Sequence, residues 1–381
     1  MSVPWRPRAT AAAFFAILPA LACGPREDAP PEGTAGSHDP PSRDSALVAP
    51  VLEGVPVLSE RWVSAWDSTS NLDSPAVWTG TQGSWVMATA KDPHDLWVFD
   101  ASSGALLRRV GGPGSELGRF QRPNGIAVAG DLLLVVERDN RRVQVLALPD
   151  FHPLGAFGEE DLIRPYGITL YEAEDDALHL FVTDDYGNEV DPPEGGTPEG
   201  DFTKRVKHFV LQRRDGAFQA RLVRAFGEAH GPGALRVVES IQVDEVHGIL
   251  LVADEHAADL KVYDLDGRYL GRDVGADLYR FGDPEGVMLY RCGNAGYWIL
   301  TDQGPERTVF HILDRESFRH LGSFTGAVTA NTDGISLVQE DIPGLGDGAL
   351  FAVHDDGGLT AFAWQDISGA LGLRSGCVVA P

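Results

Sequence analysis

The chain has 381 residues, of which 56 are acidic and 31 are Lys or Arg, so its formal net charge is −25. This excess of acids argues against nucleic-acid binding, because contacts to phosphate backbones come from Lys and Arg. A polyanionic substrate would also be repelled unless cations neutralised its site. With 43% hydrophobic residues, 44 Gly and 25 Pro, the composition is typical of a turn-rich β protein that is long enough to bury a large core.

The first 23 residues have the pattern of an export signal. Arg6 and Arg8 precede an apolar run at 10–22 that is too short for a stable transmembrane helix. The run ends in ALAC, which resembles a bacterial lipobox and predicts lipidation of Cys23; ordinary signal cleavage beside an incidental Cys is the alternative. Residues 24–50 are rich in Pro and polar residues and predict a disordered linker. We therefore expect an exported protein, either a cell-envelope lipoprotein or a secreted one, that meets the membrane only through this anchor.

From about residue 57 onward the sequence repeats a unit of roughly 40 to 50 residues six times. Each unit contains segments rich in Val, Ile, Leu, Phe and Tyr that are separated by turn residues. The second unit, for example, reads PNGIAVAG, LLLVVERD, RVQVLAL and PLGAFG. The repeat predicts an all-β fold over 51–381, a six-bladed β-propeller of four-stranded antiparallel sheets. Because the sixth unit lacks a fourth strand, we predict that residues 57–66 supply it and close the ring.

Two further features bear on this domain. Cys292 and Cys377 remain after Cys23 is assigned to the lipobox, and we predict that they form one disulfide that fixes the C-terminus. Residues 189–204 interrupt the third unit with a polar stretch, which predicts a surface loop.

Polar residues recur at two positions of the repeat. In a propeller, the segments that precede the innermost strands meet at one mouth of the central channel. The residues at that position are Asp73, Asn124, Tyr166, Glu239, Asp283 with Glu285, and Asp333. The second strands end in Lys91, Glu137-Arg138, Asp184-Asp185, Asp254-Glu255, Asp302-Gln303 and Asp355-Asp356.

Acids gathered at one mouth must be protonated, paired or bound to cations. Carboxylate and carbonyl oxygens are the ligands that Ca²⁺ prefers, and we therefore predict a calcium site there. For any single Asp the simpler interpretation is a turn former that accepts hydrogen bonds from backbone N–H groups.

Several of these segments, taken in order along the chain, resemble the motifs of β-propeller phytases. Residues 73–78 (DSPAVW) are similar to the D-D-P-A-[IV]-W opening of that family, and 165–171 (PYGITLY) to its Y-G-[FL]-x-L-Y segment. The remaining similar segments are 239–255 (ESIQVDEVHGILLVADE), 283–287 (DPEGV), 302–304 (DQG), 332–335 (TDGI) and 363–367 (AWQDI). The resemblance covers nearly all of the domain.

The resemblance implies a calcium-dependent phosphomonoesterase, a 3-phytase-like enzyme that hydrolyses inositol hexakisphosphate (phytate) or related esters, and we expect a monomer. Carried over position by position, it implies metal ligands at Asp73, Tyr166, Glu239, Glu255, Asp283, Glu285 and Asp333. Of these, Glu239, Glu255 and Asp333 are implied to act in the catalytic step. Phosphate contacts are implied for Lys91, Arg138 and Gln303. The chain departs from the family at Asp92 and Asp185, where Lys is usual, so the metal-binding residues are better kept than the phosphate-binding ones.

Two other functions fit the same fold. A non-catalytic propeller could bind a ligand or a protein at the cell surface, which the generic repeat segment 118–124 and the reduced set of basic residues favour. A calcium-dependent lactonase would need Glu, Asn and Asp at the channel mouth, and Glu239, Asn124 and Asp333 could supply them.

Overall fold

The structure, a computed structural model, describes residues 53–187, 201–214, 217–281 and 283–377. Within these ranges the chain forms six sheets of four or five strands and one short helix. The prediction of an all-β, six-bladed β-propeller is confirmed. The predicted signal, the linker and Cys23 lie outside the described residues, as does most of the predicted loop at 189–204.

The strands of the first three blades follow one another along the chain. Blade 1 contains β3 (Leu72–Gly80), β4 (Gly83–Ala90), β5 (Asp95–Asp100) and β6 (Leu106–Gly111). Blade 2 contains β7 (Pro123–Ala129), β8 (Leu132–Glu137), β9 (Arg142–Ala147) and β10 (His152–Phe157). Blade 3 contains β11 (Pro165–Glu172), β12 (Leu178–Asp184), β13 (Val206–Arg214) and β14 (Ala217–Phe226).

The last two blades also use strands from the start of the domain, β1 (Val57–Leu58) and β2 (Trp62–Val63). Blade 4 contains β15 (Val238–Asp244), β16 (Ile249–Asp254), β17 (Asp259–Asp264) and β18 (Tyr269–Val274). Blade 5 contains β19 (Pro284–Cys292), β20 (Ala295–Asp302), β21 (Val309–Asp314) and β22 (His320–Gly326), with β1 added in parallel beside β22. Blade 6 contains β23 (Ile335–Ile342), β24 (Gly346–His354) and β25 (Gly358–Ala363), with β2 as its fourth strand.

The pairing of β2 with β25 closes the ring, as predicted. Trp62 lies opposite Ala361 in an antiparallel pair, so the two ends of the domain share one sheet. The parallel pairing of β1 with β22 was not predicted from the sequence. Both short strands cover sheet edges that would otherwise be open to pairing with another chain.

The core is divided into six hydrophobic clusters, one between each pair of neighbouring blades. In β4, for example, Val86 and Ala88 face blade 6, whereas Trp85 and Met87 face blade 2. Since successive side chains of a strand point to opposite faces, both faces of each blade are buried. This explains why the inner strands have nearly continuous apolar sequences instead of a clear alternation.

The C-terminal part of the chain packs against blades 5 and 6. Helix α1 (Trp364–Leu371) begins directly after β25, and Trp364 stacks on Tyr290 with their ring centroids 3.9 Å apart. Cys292 and Cys377 form a disulfide, as predicted. Within the described ranges, no helix has the length and apolar character needed to cross a bilayer.

Candidate functional site

Each blade contributes one polar residue to a ring at one mouth of the channel, at the N-terminal end of its innermost strand. We call these residues the mouth ring: Asp73, Asn124, Tyr166, Glu239, Glu285 and Asp333. In blades 1 to 5 the ring residue lies in a β-bulge, because the pairing of the first two strands shifts its register there. A bulge re-aims a side chain relative to the sheet and is frequent beside functional sites.

The residue that follows the ring residue is small, and this lets the inner strands approach one another. A Cβ atom on Gly167 would lie 2.2 Å from the carbonyl oxygen of Glu239 in the next blade. A Cβ on Gly125 would lie 2.5 Å from the carbonyl oxygen of Tyr166, and one on Gly334 the same distance from that of Asp73. Glycine is therefore required at these positions for the ring residues to converge.

Threonine hydroxyls tie neighbouring blades together at the same level. Thr183 of blade 3 accepts a hydrogen bond from Gly167 N (2.7 Å) and donates to the carbonyl oxygen of Glu239 in blade 4 (2.7 Å). Thr89 of blade 1 similarly donates to the carbonyl oxygen of Asn124 in blade 2 (2.6 Å). These bonds fix the backbone from which the ring side chains project.

Three glutamates form the part of the mouth that is best suited to a metal ion. One carboxylate oxygen each from Glu239, Glu255 and Glu285 lie within 4.8 Å of one another. Oxygen ligands of Ca²⁺ lie at about 2.3–2.6 Å, so two ligands on opposite sides of the ion are about 5 Å apart. In addition, Glu255 Oε1 is buried without a hydrogen-bond partner among the described residues. The spacing and the unpartnered oxygen both fit a calcium ion.

Burial and mutual repulsion hold these acids in their protonated form when no cation is bound. Burial, followed by the charge of Asp73, raises the pKa of Glu239 to about 8. Burial and the charge of Glu239 raise the pKa values of Glu255 and Glu285 well above their usual range. The exposed residue Asp283 adds to the negative field at Glu255. A cation would replace the protons and relieve this repulsion.

The other part of the mouth is organised around a buried lysine. Lys91 Nζ lies 2.8 Å from Asp73 Oδ1 and 3.3 Å from Asp333 Oδ2. Burial alone would lower the pKa of Lys91, but the charges of Asp73 and Asp333 raise it. Tyr166 donates its hydroxyl to Asp73 (3.1 Å), and Gln303 donates its amide to Asp333 (2.6 Å).

Asp333 belongs to the Lys91 network, and its charge also acts on Glu239 and Glu285. Burial raises the pKa of Asp333 to about 7, although the neighbouring Lys91 lowers it. Of the predicted metal ligands, the structure thus brings Glu239, Glu255 and Glu285 together, whereas Asp73, Tyr166 and Asp333 lie in the Lys91 network.

The paired residues at the ends of the second strands have two different roles. In blades 2 to 5 the first member of the pair accepts hydrogen bonds from backbone N–H groups that precede an inner strand. In blade 6 the second strand ends at His354, before Asp355, and His354 Nδ1 accepts the bond from Ala330 N. Asp254 accepts from Arg236 and Val237, and Asp302 accepts from Arg280 and Phe281. Glu137 and Asp184 make equivalent contacts. The simpler, turn-forming interpretation therefore holds for these acids, while Lys91, Glu255 and Gln303 face the mouth.

Arg138 is placed differently from the expectation for a phosphate-binding residue. Its Nε lies 2.7 Å from Asp139 Oδ1, and the side chain lines a surface cleft with Ile163 and Tyr186 between blades 2 and 3. Asp139 follows directly in the turn after β8 and draws the guanidinium toward itself. The structure shows no contact of Arg138 with the carboxylates of the mouth.

Asp185, which stands where a basic residue was expected, has a structural partner. It lies 3.2 Å from Arg205 Nη1 and accepts a hydrogen bond from Val238 N. The guanidinium of Arg205 is fully buried and also donates to carbonyl oxygens of the segment before β15, at Leu235 and Arg236. This pair joins blade 3 to the start of blade 4.

Asn124 has the most unusual environment of the ring residues. Its side chain is fully buried, and neither Oδ1 nor Nδ2 has a hydrogen-bond partner in the described part of the chain. The sequence predicts Asn124 at the mouth but does not predict this isolation, since no local pattern indicates it.

Directly after the ring positions the channel narrows to a cavity of about 50 Å³, which is lined by the residues that follow the ring residues, including Pro75, Ile126 and Ile241.

No protein-family model matches this sequence, and no curated protein matches it in a sequence search. Hydrazine synthase from Kuenenia stuttgartiensis is similar in structure, with 13% identity and a TM-score of 0.48 over 82% of each chain. A DUF4221 family member from Bacteroides vulgatus has 11% identity and a TM-score of 0.47 over 81% of this chain and 97% of that chain. The β-propeller domain of Cps50 (Swd1) from Myceliophteria thermophila has 11% identity and a TM-score of 0.45 over 79% and 98% of the two chains. Similarities this distant carry no conclusion about function.

Proposed function

We propose that this propeller is a calcium-dependent phosphomonoesterase that acts on inositol hexakisphosphate or a related phosphate ester. The observation that carries the proposal is the convergence of Glu239, Glu255 and Glu285, whose oxygens have the spacing of calcium ligands. The ordered resemblance to β-propeller phytases supplies the substrate class.

In this proposal Glu239, Glu255 and Glu285 hold calcium. Bound calcium would lower the pKa of a coordinated water molecule and neutralise part of the negative charge of the phosphate. Lys91 is fixed between Asp73 and Asp333, and its side chain is 10% exposed, so it offers a single positive charge to a phosphoryl oxygen within the mouth. Gln303 orients the Asp333 carboxylate through its amide.

Asp333 is the group best suited to move a proton. Its pKa of about 7 lies near neutral pH, where a carboxyl group can both donate and accept a proton. Hydrolysis of a phosphate monoester requires a proton for the departing alkoxide. Asp333, beside Lys91 in the mouth, is proposed as its source.

The test is phosphate release from phytate by the domain after removal of metals with EDTA and after addition of Ca²⁺. We expect activity only with Ca²⁺, and at least about a tenfold loss in Glu285→Gln, equivalent to 1.4 kcal/mol. Glu316→Gln, which changes an exposed acid on blade 5, is the matched control and should leave activity unchanged. Equal release by wild type and Glu285→Gln across phytate and simpler phosphate esters would refute the proposal.

A calcium-dependent lactonase is the second candidate. It is favoured by Asn124, whose amide has no hydrogen-bond partner among the described residues and which shares the mouth ring with Glu239 and Asp333. Aliphatic and sugar lactones assayed under the same conditions separate the two activities, since a lactonase would hydrolyse them while leaving phosphate esters intact. A propeller that only binds ligands would show calcium binding with neither activity.

A further inference from the structure

The channel widens again beyond the narrow cavity that follows the mouth ring. A cavity of about 200 Å³, which we call the inner chamber, is lined by the innermost strands of all six blades. Ile126 and Met288 line both the narrow cavity and the inner chamber, so the two adjoin. The inner chamber adjoins in turn a cavity of about 660 Å³, the outer chamber, because Val77 and Arg291 line both.

The two chambers belong to the end of the channel opposite the mouth ring. In blade 5, the ring residue Glu285 lies at the start of β19, whereas Arg291 lies one residue before its end. The outer chamber is also lined by Asp131 and Glu340, which are both exposed, so it faces solvent. A small molecule can therefore reach the inner chamber from this end without passing the glutamates.

The inner chamber is largely apolar and carries one charge. Apolar side chains from five blades line it, namely Val77, Ile126, Ile168, Met288 and Leu337. Among the described residues Arg291 is the one charged group in its wall, and Thr169, Gln242 and Ser336 are uncharged. An apolar cavity of about 150 Å³ can hold benzene, so the inner chamber has room for roughly six to eight carbon atoms.

The backbone of Arg291 is held in place where the two chambers meet. Its N–H donates to Gln339 Oε1 of blade 6 (2.7 Å), and its carbonyl oxygen accepts from Gln339 Nε2 (2.8 Å). Gln339 Nε2 also donates to the carbonyl oxygen of Cys377, which the disulfide joins to Cys292 beside Arg291. These contacts fix the point from which the guanidinium projects.

The guanidinium of Arg291 has hydrogen-bond donors that no described residue uses. Nη2 donates to Glu245 (3.0 Å), whereas neither Nε nor Nη1 has a partner among the described residues. Nε is covered by protein, but the side chain is 26% exposed, so Nη1 is the donor within reach of a molecule in the chambers. A guanidinium forms its strongest hydrogen bonds with carboxylates and phosphates.

We propose that the inner chamber binds a short-chain carboxylate, whose carboxylate group accepts a hydrogen bond from Arg291 while its apolar chain extends toward the narrow cavity. The positive charge lies at the solvent-facing end of the inner chamber, and apolar side chains line the space beyond it. A ligand with a single anionic head and an apolar tail matches this arrangement. An amine does not match, because the acids Asp131 and Glu340 line only the outer chamber.

The length of the ligand chain provides the first test, on the unmodified protein. Calorimetric titration compares butanoate, hexanoate and decanoate. Affinity should rise about three- to fourfold for each CH₂ added from butanoate to hexanoate, as apolar burial requires. It should fall at decanoate, whose chain is longer than the inner chamber. Hexylamine and hexanol, which lack the negative charge, should bind at least about tenfold more weakly than hexanoate.

Two substitutions test the head and the tail of the ligand separately. Arg291→Met removes the charge and should weaken hexanoate at least about tenfold while leaving hexanol unchanged. Ala127→Leu fills part of the inner chamber without altering Arg291, and it should shift the preference from hexanoate to butanoate. Arg319→Met, which changes an exposed arginine directly before β22 in the same blade, is the matched control and should bind hexanoate as wild type does.

The site is independent of the proposed phosphomonoesterase function, because the narrow cavity separates it from the glutamates. Hexanoate affinity should be the same in EDTA and in Ca²⁺, and the same in Glu285→Gln as in wild type. A protein that binds hexanoate in this way but releases no phosphate would refute the proposed function and leave this inference intact.

Three results would overturn the inference. They are the absence of saturable hexanoate binding by wild type, equal affinity for hexylamine and hexanoate, and full hexanoate affinity in Arg291→Met. The comparison of chain lengths and head groups needs no variant, so it decides the question even if Arg291→Met fails to fold.

Discussion

The ammonium group of Lys91 lies 2.8 Å from the carboxylate of Asp73; Lys91 directly follows the second strand of the blade whose first strand carries Asp73. Lys91 also reaches Asp333 of blade 6, so one cation joins the first and last repeats of the propeller. Removing one partner of a buried ion pair leaves the other charge uncompensated.

We expect Lys91→Met to destabilise the metal-free domain by about 3–5 kcal/mol at alkaline pH, where Asp333, whose pKa is about 7, is charged. Urea unfolding in EDTA measures this loss. Calcium should restore more stability to the variant than to wild type, since the ion can replace the missing positive charge. Lys204→Met changes an exposed lysine and serves as the control; a similar loss in both variants would contradict the role of the buried pair.

The adjacent acids Asp254 and Glu255 should respond to neutralisation in opposite ways. Asp254 accepts hydrogen bonds from three backbone N–H groups, so Asp254→Asn should cost about 1.5–3 kcal/mol of stability with little change in Ca²⁺ affinity. Glu255→Gln relieves repulsion among the glutamates, so the metal-free domain should be no less stable, while Ca²⁺ affinity falls at least about tenfold. Calorimetry and urea unfolding on both variants check the contrast, and a reversed pattern would show that the two roles are wrongly assigned.

The stability of the metal-free domain should fall as pH rises through neutrality. Glu239 and Asp333 have pKa values of about 8 and about 7 in the folded chain, above the values of about 4.3 and about 3.9 expected in the unfolded chain. The folded state therefore holds these protons more tightly. The stability that they contribute is complete below about pH 4 and is lost as pH rises through the folded-state values.

Bound calcium should reverse this dependence of stability on pH, because calcium and protons compete for the same carboxylates. The stabilisation by Ca²⁺ should increase between about pH 6 and about pH 9, and binding at about pH 7 should release protons in calorimetry buffers of different ionisation enthalpy. Stability in EDTA that stays constant or rises over this range would show that the acids are not held protonated by the fold.

Gly167→Ala tests the close packing that positions Glu239. The added methyl group would lie 2.2 Å from the Glu239 carbonyl oxygen, which is a backbone atom and cannot rotate away. We expect a loss of at least about 1–3 kcal/mol and weaker Ca²⁺ binding. Gly369→Ala in α1, where nothing lies within 4 Å of the new atom, should instead be neutral or stabilising by roughly 0.5–1 kcal/mol. Equal effects of the two substitutions would argue against a constrained ring.

The disulfide between Cys292 and Cys377 closes a segment with a sequence separation of 85. Its removal in the double variant Cys292→Ser/Cys377→Ser should lower stability by about 2–4 kcal/mol. Thermal unfolding with and without a reducing agent measures this, and only wild type should respond to the reductant. Ca²⁺ affinity should not change, because the disulfide lies at the C-terminal end of β19, away from the mouth ring at its N-terminal end. A reductant-insensitive wild type would show that the bond does not contribute to stability.

The fold and the ring positions could be predicted because the repeat places equivalent residues at equivalent points. Asp73, Glu239 and Asp333 occupy the same position, at the start of the innermost strand, in different units. They converge because the units close into a ring around one channel. The different roles of Asp254 and Glu255 could not be predicted, since they depend on which backbone N–H groups the preceding loop presents. The partner of Arg138 likewise depends on the turn that carries Asp139.

The pairing of β1 with β22 was missed for a related reason. It joins two residues at the start of the domain to a strand far along the chain, and a strand of two residues has no periodic pattern to recognise. The isolation of Asn124 is a property of what surrounds it, and its own sequence neighbours, PNGIAV, give no sign of it.

The seam at which β2 completes blade 6 has a consequence for synthesis of the protein. Blades 1 and 6 meet only when Trp62 pairs with Ala361, so contacts across the seam, such as Lys91 with Asp333 and Gly334 against Asp73, form after almost the whole domain has left the ribosome. A nascent or truncated chain that lacks β25 would have an incomplete ring with two unprotected sheet edges. Formation of the Lys91–Asp333 ion pair would thus report that translation has reached the last repeat.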